Sequence, residues 1–223
     1  MASLYCRCAT KFTMQADYAV ELGREDETLE VPWEAADGGP RYVDLKREPE
    51  RIKEIEEVNG LPELRDFLLF INSSSLRLGN GSALEKESGS GLRSAKCDGW
   101  ASTEIHPDEE MFEVLCKFGS YVDLFFAESA QVFRQSPQAS VEAHQEFLKK
   151  IVGLLKRAPE LPAKAEFLLR RCYFHEQGDI REGLYVTFYL FGFGDDEGKA
   201  RQQWAIAMKL ARNAFAQLNS SAL

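Results

Sequence analysis

Three side chains in the C-terminal half of the chain have the chemistry needed for proton transfer. His175 lies in the run Phe174-His175-Glu176, and Asp98 and Asp123 lie within other predicted strands. An imidazole titrates near neutral pH, and two neighbouring carboxylates can exchange a proton or hold a cation. Glu176 cannot easily serve His175, because adjacent strand residues point to opposite faces. His175, Asp98 and Asp123 are therefore the candidate catalytic residues.

The cysteines offer less chemistry. A Cys–His nucleophile would need Cys97 or Cys172 beside His175, but strand alternation predicts both thiols on the helix side and His175 on the other. Cys6 and Cys8 form a Cys-x-Cys pair without a second close pair to complete a zinc site. We interpret the cysteines as small core residues, and we predict no metal site and no cofactor.

Other local patterns have plainer explanations. His144 lies on the apolar stripe of a predicted helix, and His106 lies in a polar loop. Gly192-Phe193-Gly194 precedes a helix, but Asp195-Asp196-Glu197 would repel a phosphate there. These glycines are predicted to give the strand end its turn.

Composition disfavours some classes of protein. The chain has 223 residues, a formal net charge of −9 and five cysteines. The negative charge repels phosphate backbones, so nucleic-acid binding is disfavoured. No apolar run is long enough to span a bilayer or to form a secretory signal. An odd number of cysteines fits reduced thiols, and we expect a cytoplasmic location.

The N-terminal region, residues 1–71, reads as short strands followed by a helical hairpin that packs on the main sheet. Tyr18–Leu22 and Thr28–Val31 are the predicted strands. Proline and acidic residues at Glu48–Glu50 and again at Pro62 indicate two helix starts. Residues 72–94 are rich in Ser and Gly and are predicted to be a flexible loop or linker.

Residues 95–223 show the pattern strand-strand-helix twice. The four strands are predicted at Ala95–Ser102, Phe118–Ala127, Glu166–Glu176 and Leu184–Phe193, with helices after the second and fourth. We therefore predict an α+β fold: an antiparallel sheet of four or more strands in a ββαββα pseudo-repeat, with helices on one face.

Alternation splits each strand into two sets of side chains. The set Val186, Phe188 and Leu190 and the set Val122 and Leu124 should meet the helices. If Cys172 and Phe174 do so too, Arg170 must point inward unless a bulge shifts the register. The opposite face is then rich in aromatic residues, and we predict it as the ligand or partner face: Trp100, Tyr121, Phe125, Arg171, Tyr173, Tyr185 and Tyr189.

Such a face can be covered by residues 1–71, by a second copy, or in part by a ligand. Our leading hypothesis is a cytoplasmic interaction or ligand-binding protein that uses this face and self-associates as a homodimer. The alternative is an enzyme with a pocket between the sheet and the N-terminal segment, using His175 and the two aspartates. Nucleic-acid binding through stacked aromatic rings is the third reading.

Overall fold

The computed structural model describes residues 14–33, 42–73, 92–102, 104, 114–126, 137–158, 160–176 and 179–220. It shows a mixed α+β fold with a six-stranded sheet. The strands are β1 (Gln15–Val20), β2 (Thr28–Val31), β3 (Leu92–Ser102), β4 (Cys116–Phe126), β5 (Ala163–Glu176) and β6 (Asp179–Gly194). The α-helices are α1 (Pro62–Ile71), α2 (Pro137–Leu155) and α3 (Glu197–Ser220). Within these ranges, no helix is long and apolar enough to cross a membrane.

The sheet is mixed rather than purely antiparallel. Its order is β1–β5–β6–β4–β3, and β2 follows β1 along the same edge of β5. β3, β4, β5 and β6 pair antiparallel, as predicted, but β1 and β2 both run parallel to β5. The prediction of an antiparallel sheet is wrong for these two strands, since local patterns do not specify partners so distant in sequence. The predicted pseudo-repeat is not confirmed.

One face of the sheet carries the helices and the main core. Val186, Phe188 and Leu190 of β6 and Val122 and Leu124 of β4 are buried there, as predicted. Helix α3 packs on β6 and β4, and α2 packs on β1 and β5. Trp204 and Phe215 are the fully buried anchors of α3.

Gly192 and Gly194 have a packing role. Both belong to β6, which runs through them instead of turning at Gly192. A Cβ at either glycine would collide with the backbone of α3 near Ala200. The turn predicted from these glycines is therefore better described as a close approach of helix to strand.

The predicted helical hairpin is not found. The first of its helices is replaced by two short 3-10 helices, Pro49–Glu54 and Glu56–Val58, separated by extended backbone at Ile55. Gly60 has a φ of +80°, a conformation that favours glycine, and it leads the chain into α1. Ile52, Ile55 and Val58 have the apolar spacing of a helix. Ile52 and Val58 are buried, so this spacing reflects core contacts made from 3-10 turns rather than an α-helix.

The face assignment of β5 is corrected by the structure. Phe167 and Leu169 face the helices, and the alternation continues to Glu176 without a register shift. Cys172 and Phe174 therefore lie on the opposite face, packed with Leu29 and Val31 of β2. Arg171, Tyr173 and His175 belong to the helix side. No bulge is needed, because Arg170 points away from the helices.

Candidate functional site

The face opposite the helices, here called the outer face, has two halves, and the N-terminal segment covers one of them. The buried residues of this covered half are Leu29, Val31, Phe125, Cys172 and Tyr185. Trp33, Tyr42 and Phe174 pack against them, with the Tyr42 and Phe125 rings 6.4 Å apart. The Tyr42 amide donates to the Trp33 carbonyl at 2.8 Å. This half of the face is a second core.

The other half carries four neighbouring aromatic residues, which we call the aromatic patch: Trp100, Tyr121, Tyr189 and Phe191. The Tyr121 and Tyr189 rings are 5.9 Å apart, and Tyr189 stacks on Phe191 at 6.3 Å. Trp100 meets Phe191 edge-on at 6.2 Å. Trp100, Tyr121 and Tyr189 are only partly buried. The patch is therefore accessible.

Gly119 brings Trp100 and Phe191 together. It lies between them in the sheet register. A Cβ at this position would lie 3.0 Å from both rings. The missing side chain lets the two rings close over the backbone of β4.

Carboxylates flank the patch on both sides. One row of the register crosses five strands and reads Asp17, Glu166, Tyr189, Tyr121, Asp98. Asp17 and Asp98 are exposed at the two ends of this row. Four strand spacings place them about 19 Å apart.

A polar network lies between the two halves. Asp123 is 6% exposed and accepts a hydrogen bond from the Thr187 hydroxyl at 2.7 Å. The Arg170 guanidinium pairs with Glu21 at 2.7 Å and Glu27 at 2.9 Å. Its positive charge also acts on Tyr185 and Tyr189, whose pKa it lowers against the larger, opposite effect of burial. Arg170 thus ties the β1–β2 connection to the sheet face.

The tyrosines of this region are held in their neutral form. Burial raises the pKa of Tyr185 to about 12, and the nearby Asp123 carboxylate adds to the shift. Burial also raises the pKa of Tyr121 and of Tyr189. Their hydroxyls therefore remain hydrogen-bond donors at neutral pH.

We expect Tyr185→Phe to change the alkaline limb of the stability curve. The unfolded pKa of tyrosine is about 10, and the folded pKa of Tyr185 is about 12. This raised pKa contributes stability that is fully present below the unfolded pKa and is lost as the pH rises through the folded pKa. Urea unfolding across this range should show a shallower decline for Tyr185→Phe than for the wild type.

Phe125→Leu, a change in the same cluster without an ionisable group, is the control and should keep the wild-type decline. Equal declines for Tyr185→Phe and the wild type would show that Tyr185 is not the titrating group.

The structure separates the residues predicted for the ligand or partner face. Trp100, Tyr121 and Tyr189 lie in the patch, while Phe125 and Tyr185 lie in the covered half. Arg171 and Tyr173 lie on the helix side of the sheet, and the Arg171 guanidinium donates to the Gly23 carbonyl.

The three candidate catalytic residues are not brought together. Asp98 and Asp123 are both close to Tyr121. Burial is the largest cause of the raised pKa of Tyr121, and the charges of the two carboxylates raise it further. His175 contacts the Glu30 carboxylate through Nε2. Asp98 lies level with Glu166 in the sheet register. His175 is nine residues further along β5 than Glu166, a distance of about 30 Å.

Other predicted sites carry no further chemistry in the described residues. Burial raises the pKa of Cys172 to about 12 and also raises that of Cys97, so both thiols stay protonated. His144 is buried within the helix layer, as expected. No group of three or more His, Cys, Asp or Glu residues is arranged for a metal in the part of the chain described. Cys6, Cys8, His106 and residues 74–91 of the predicted linker lie outside it.

Sequence reasoning did not name Arg170, Phe191, Gly119, Asp17 and Glu166 as parts of this site. Strict alternation along β5 finds Arg170 and Glu166, and alternation along β6 places Phe191 on the same face as Tyr189. The roles of Gly119 and Asp17 depend on the register of strands far apart in sequence.

A cleft of about 550 Å³ opens at the start of β1, beside the patch. Asp17 and Glu166 line it together with Gln15, Lys156 and Lys164. The Lys164 amino group pairs with Glu166 at 2.9 Å. The carboxylate row of the patch therefore ends in a concave surface.

Comparison with known proteins adds no assignment, because no protein-family model, curated protein or solved structure matches the chain.

Proposed function

We propose that this chain is a binding protein whose working surface is the aromatic patch. The observation that carries the proposal is the contrast between the two halves of the outer face. Trp33 and Tyr42 cover one half, while Trp100, Tyr121 and Tyr189 on the other half stay partly exposed. A contiguous accessible aromatic surface on a folded protein is typical of an interaction site.

The residue types support binding. Tryptophan and tyrosine are among the residues whose truncation most weakens protein interfaces. Here they stand on β3, β4 and β6, where packed strands fix the backbone. Such a surface loses little conformational entropy when a partner binds. The enzymatic alternative has less support, because His175 is remote from Asp98 and Asp123.

A matched pair of tryptophan variants tests the proposal. Trp100 and Trp33 are both partly buried, but Trp100 belongs to the patch, whereas Trp33 belongs to the N-terminal segment that covers the other half of the outer face. The full chain is titrated by calorimetry with three extended peptides that share their aliphatic residues and carry basic, neutral or acidic side chains. We expect at least one peptide to bind, Trp100→Ser to weaken that binding by about tenfold or more, and Trp33→Ser to preserve it. Absence of binding to all three peptides, or equal effects of the two variants, would contradict the proposal.

The homodimer stays a prediction. Two patches placed face to face would bring the carboxylates at Asp17 and Asp98 of both copies together. We therefore expect any self-association to be weak and to strengthen when salt is raised to about 0.5 M, where screening is nearly complete at these distances. Sedimentation equilibrium at high protein concentration measures it, with Tyr189→Glu as the interface variant. A strict monomer at low and high salt would rule out this dimer.

A further inference from the structure

We propose that the partner of the aromatic patch is a basic segment of another protein, lying extended across Tyr121 and Tyr189 with its cationic side chains toward Asp17 and Asp98. This inference rests on the proposed function and specifies the chemistry of the partner.

Charge complementarity is the first reason. Asp17 and Asp98 are exposed, and each carboxylate accepts a hydrogen bond from the next backbone amide, at 2.8 and 2.7 Å. Two of the nearby cations are already engaged by the protein itself: Lys164 pairs with Glu166, and Arg170 pairs with Glu21 and Glu27. A third, Lys156, is exposed just after α2 and lines the cleft beside Asp17. On the row of the sheet that crosses the patch, the exposed residues at the two ends are both carboxylates.

The exposed rings are the second reason. A cation over the face of an aromatic ring is attracted by the quadrupole of that ring. The protein already makes such a contact within the patch: the Lys117 amino group lies 5.6 Å from the centre of the Phe191 ring. Lys117 is 5% exposed, so this interaction is internal. The partly exposed rings of Tyr121 and Tyr189 offer the same contact to a cation from outside.

Shape favours an extended segment. The distance between Asp17 and Asp98, about 19 Å, matches about six residues of extended chain. A sheet face does not enclose a small ion, whereas a peptide can lie along it. At one end, Asp17 borders a cleft that also carries Glu166, Lys156 and Lys164 and has room for a long side chain. The net charge of −9 also steers a basic partner toward the protein.

The test uses the full chain and the basic, neutral and acidic peptides, with arginine and lysine in the basic one. We expect the basic peptide to bind most tightly. Asp17→Asn and Asp98→Asn keep an acceptor for the backbone amide, and each should weaken binding by about threefold, with about tenfold for the double variant. Asp66→Asn is the matched control, because Asp66 is exposed on α1 in the helix layer. Binding should also weaken as salt rises, the opposite of the salt effect expected for self-association.

Each outcome is informative. If the neutral or acidic peptide binds as tightly as the basic one and Trp100→Ser still weakens binding by about tenfold or more, the basic-partner inference is overturned and the proposed function stands. If no peptide binds, both proposals fail. If Asp66→Asn has the same effect as Asp98→Asn, only net charge matters, and the inference about the two ends of the patch is overturned.

Discussion

Replacing Gly192 by alanine should destabilise the protein by about 3 kcal/mol or more, the upper range for overpacking a core. A Cβ at this position would lie 2.6 Å from the Trp204 Cα and would also collide with the Trp204 nitrogen and the Ala200 carbonyl. These are backbone atoms of α3, so no side-chain rotation relieves the clash. Relief requires α3 to move away from β6, which would open contacts made by Trp204 and Phe215.

Gly153→Ala is the matched control for this change. Gly153 lies inside α2, and a Cβ there would meet nothing within 4 Å. Alanine favours a helix interior over glycine by about 0.5–1 kcal/mol, so this variant should be slightly more stable. Chemical denaturation of both variants measures the difference. A Gly192→Ala protein as stable as wild type would show that α3 does not approach β6 so closely.

The second large effect compares two neighbouring residues of β6. Phe188→Ala should cost about 3–5 kcal/mol, the usual range for truncating a buried phenylalanine. Phe188 is 1% exposed and stacks on Phe167 at 4.8 Å, with Phe67 and Phe215 also in ring contact. Tyr189→Ala should cost only about 1 kcal/mol, because Tyr189 is partly exposed on the outer face.

This pair tests the face assignment of β6 directly, again by chemical denaturation. Equal costs would mean that Tyr189 is as deeply packed as Phe188, and the outer face would then be another core rather than a binding surface. A larger loss of stability for Tyr189→Ala than for Phe188→Ala would mean that the helices pack on the face that carries Tyr189.

Alternation predicted the faces of β4 and β6 because their two sets differ sharply in composition. Val186, Phe188 and Leu190 form a purely apolar set, while the other set includes Tyr185 and Thr187. In β5 both sets mix apolar and polar residues, so composition could not choose between them. The choice is made by contacts from far away, such as the pairing of Arg170 with Glu21, 149 residues earlier.

In the N-terminal region, too, local sequence patterns predicted a strand but not its partner. The bounds of β2 were predicted correctly at Thr28–Val31, because the alternation is local. Its parallel pairing with Cys172 and Phe174 could not be predicted, since no turn joins the two strands. The 3-10 helices at Pro49–Glu54 and Glu56–Val58 carry the apolar spacing of a helix, yet Ile55 between them is extended.

The candidate site was predictable in part. Trp100, Tyr121 and Tyr189 were identified from alternation alone, since their strands have unambiguous faces. The flanking pair Asp17 and Asp98 required the register of five strands.

Fluorine NMR of protein labelled with 5-fluorotryptophan tests most directly whether the aromatic patch is the working surface. The chain has three tryptophans, and they report on three places: Trp100 in the patch, Trp33 in the covered half and Trp204 under α3. The Trp100 signal is assigned by its loss in Trp100→Phe. We predict that the basic peptide shifts the Trp100 signal and leaves the Trp204 signal in place. A peptide that binds without moving the Trp100 signal would contradict the proposal that this protein binds through the aromatic patch.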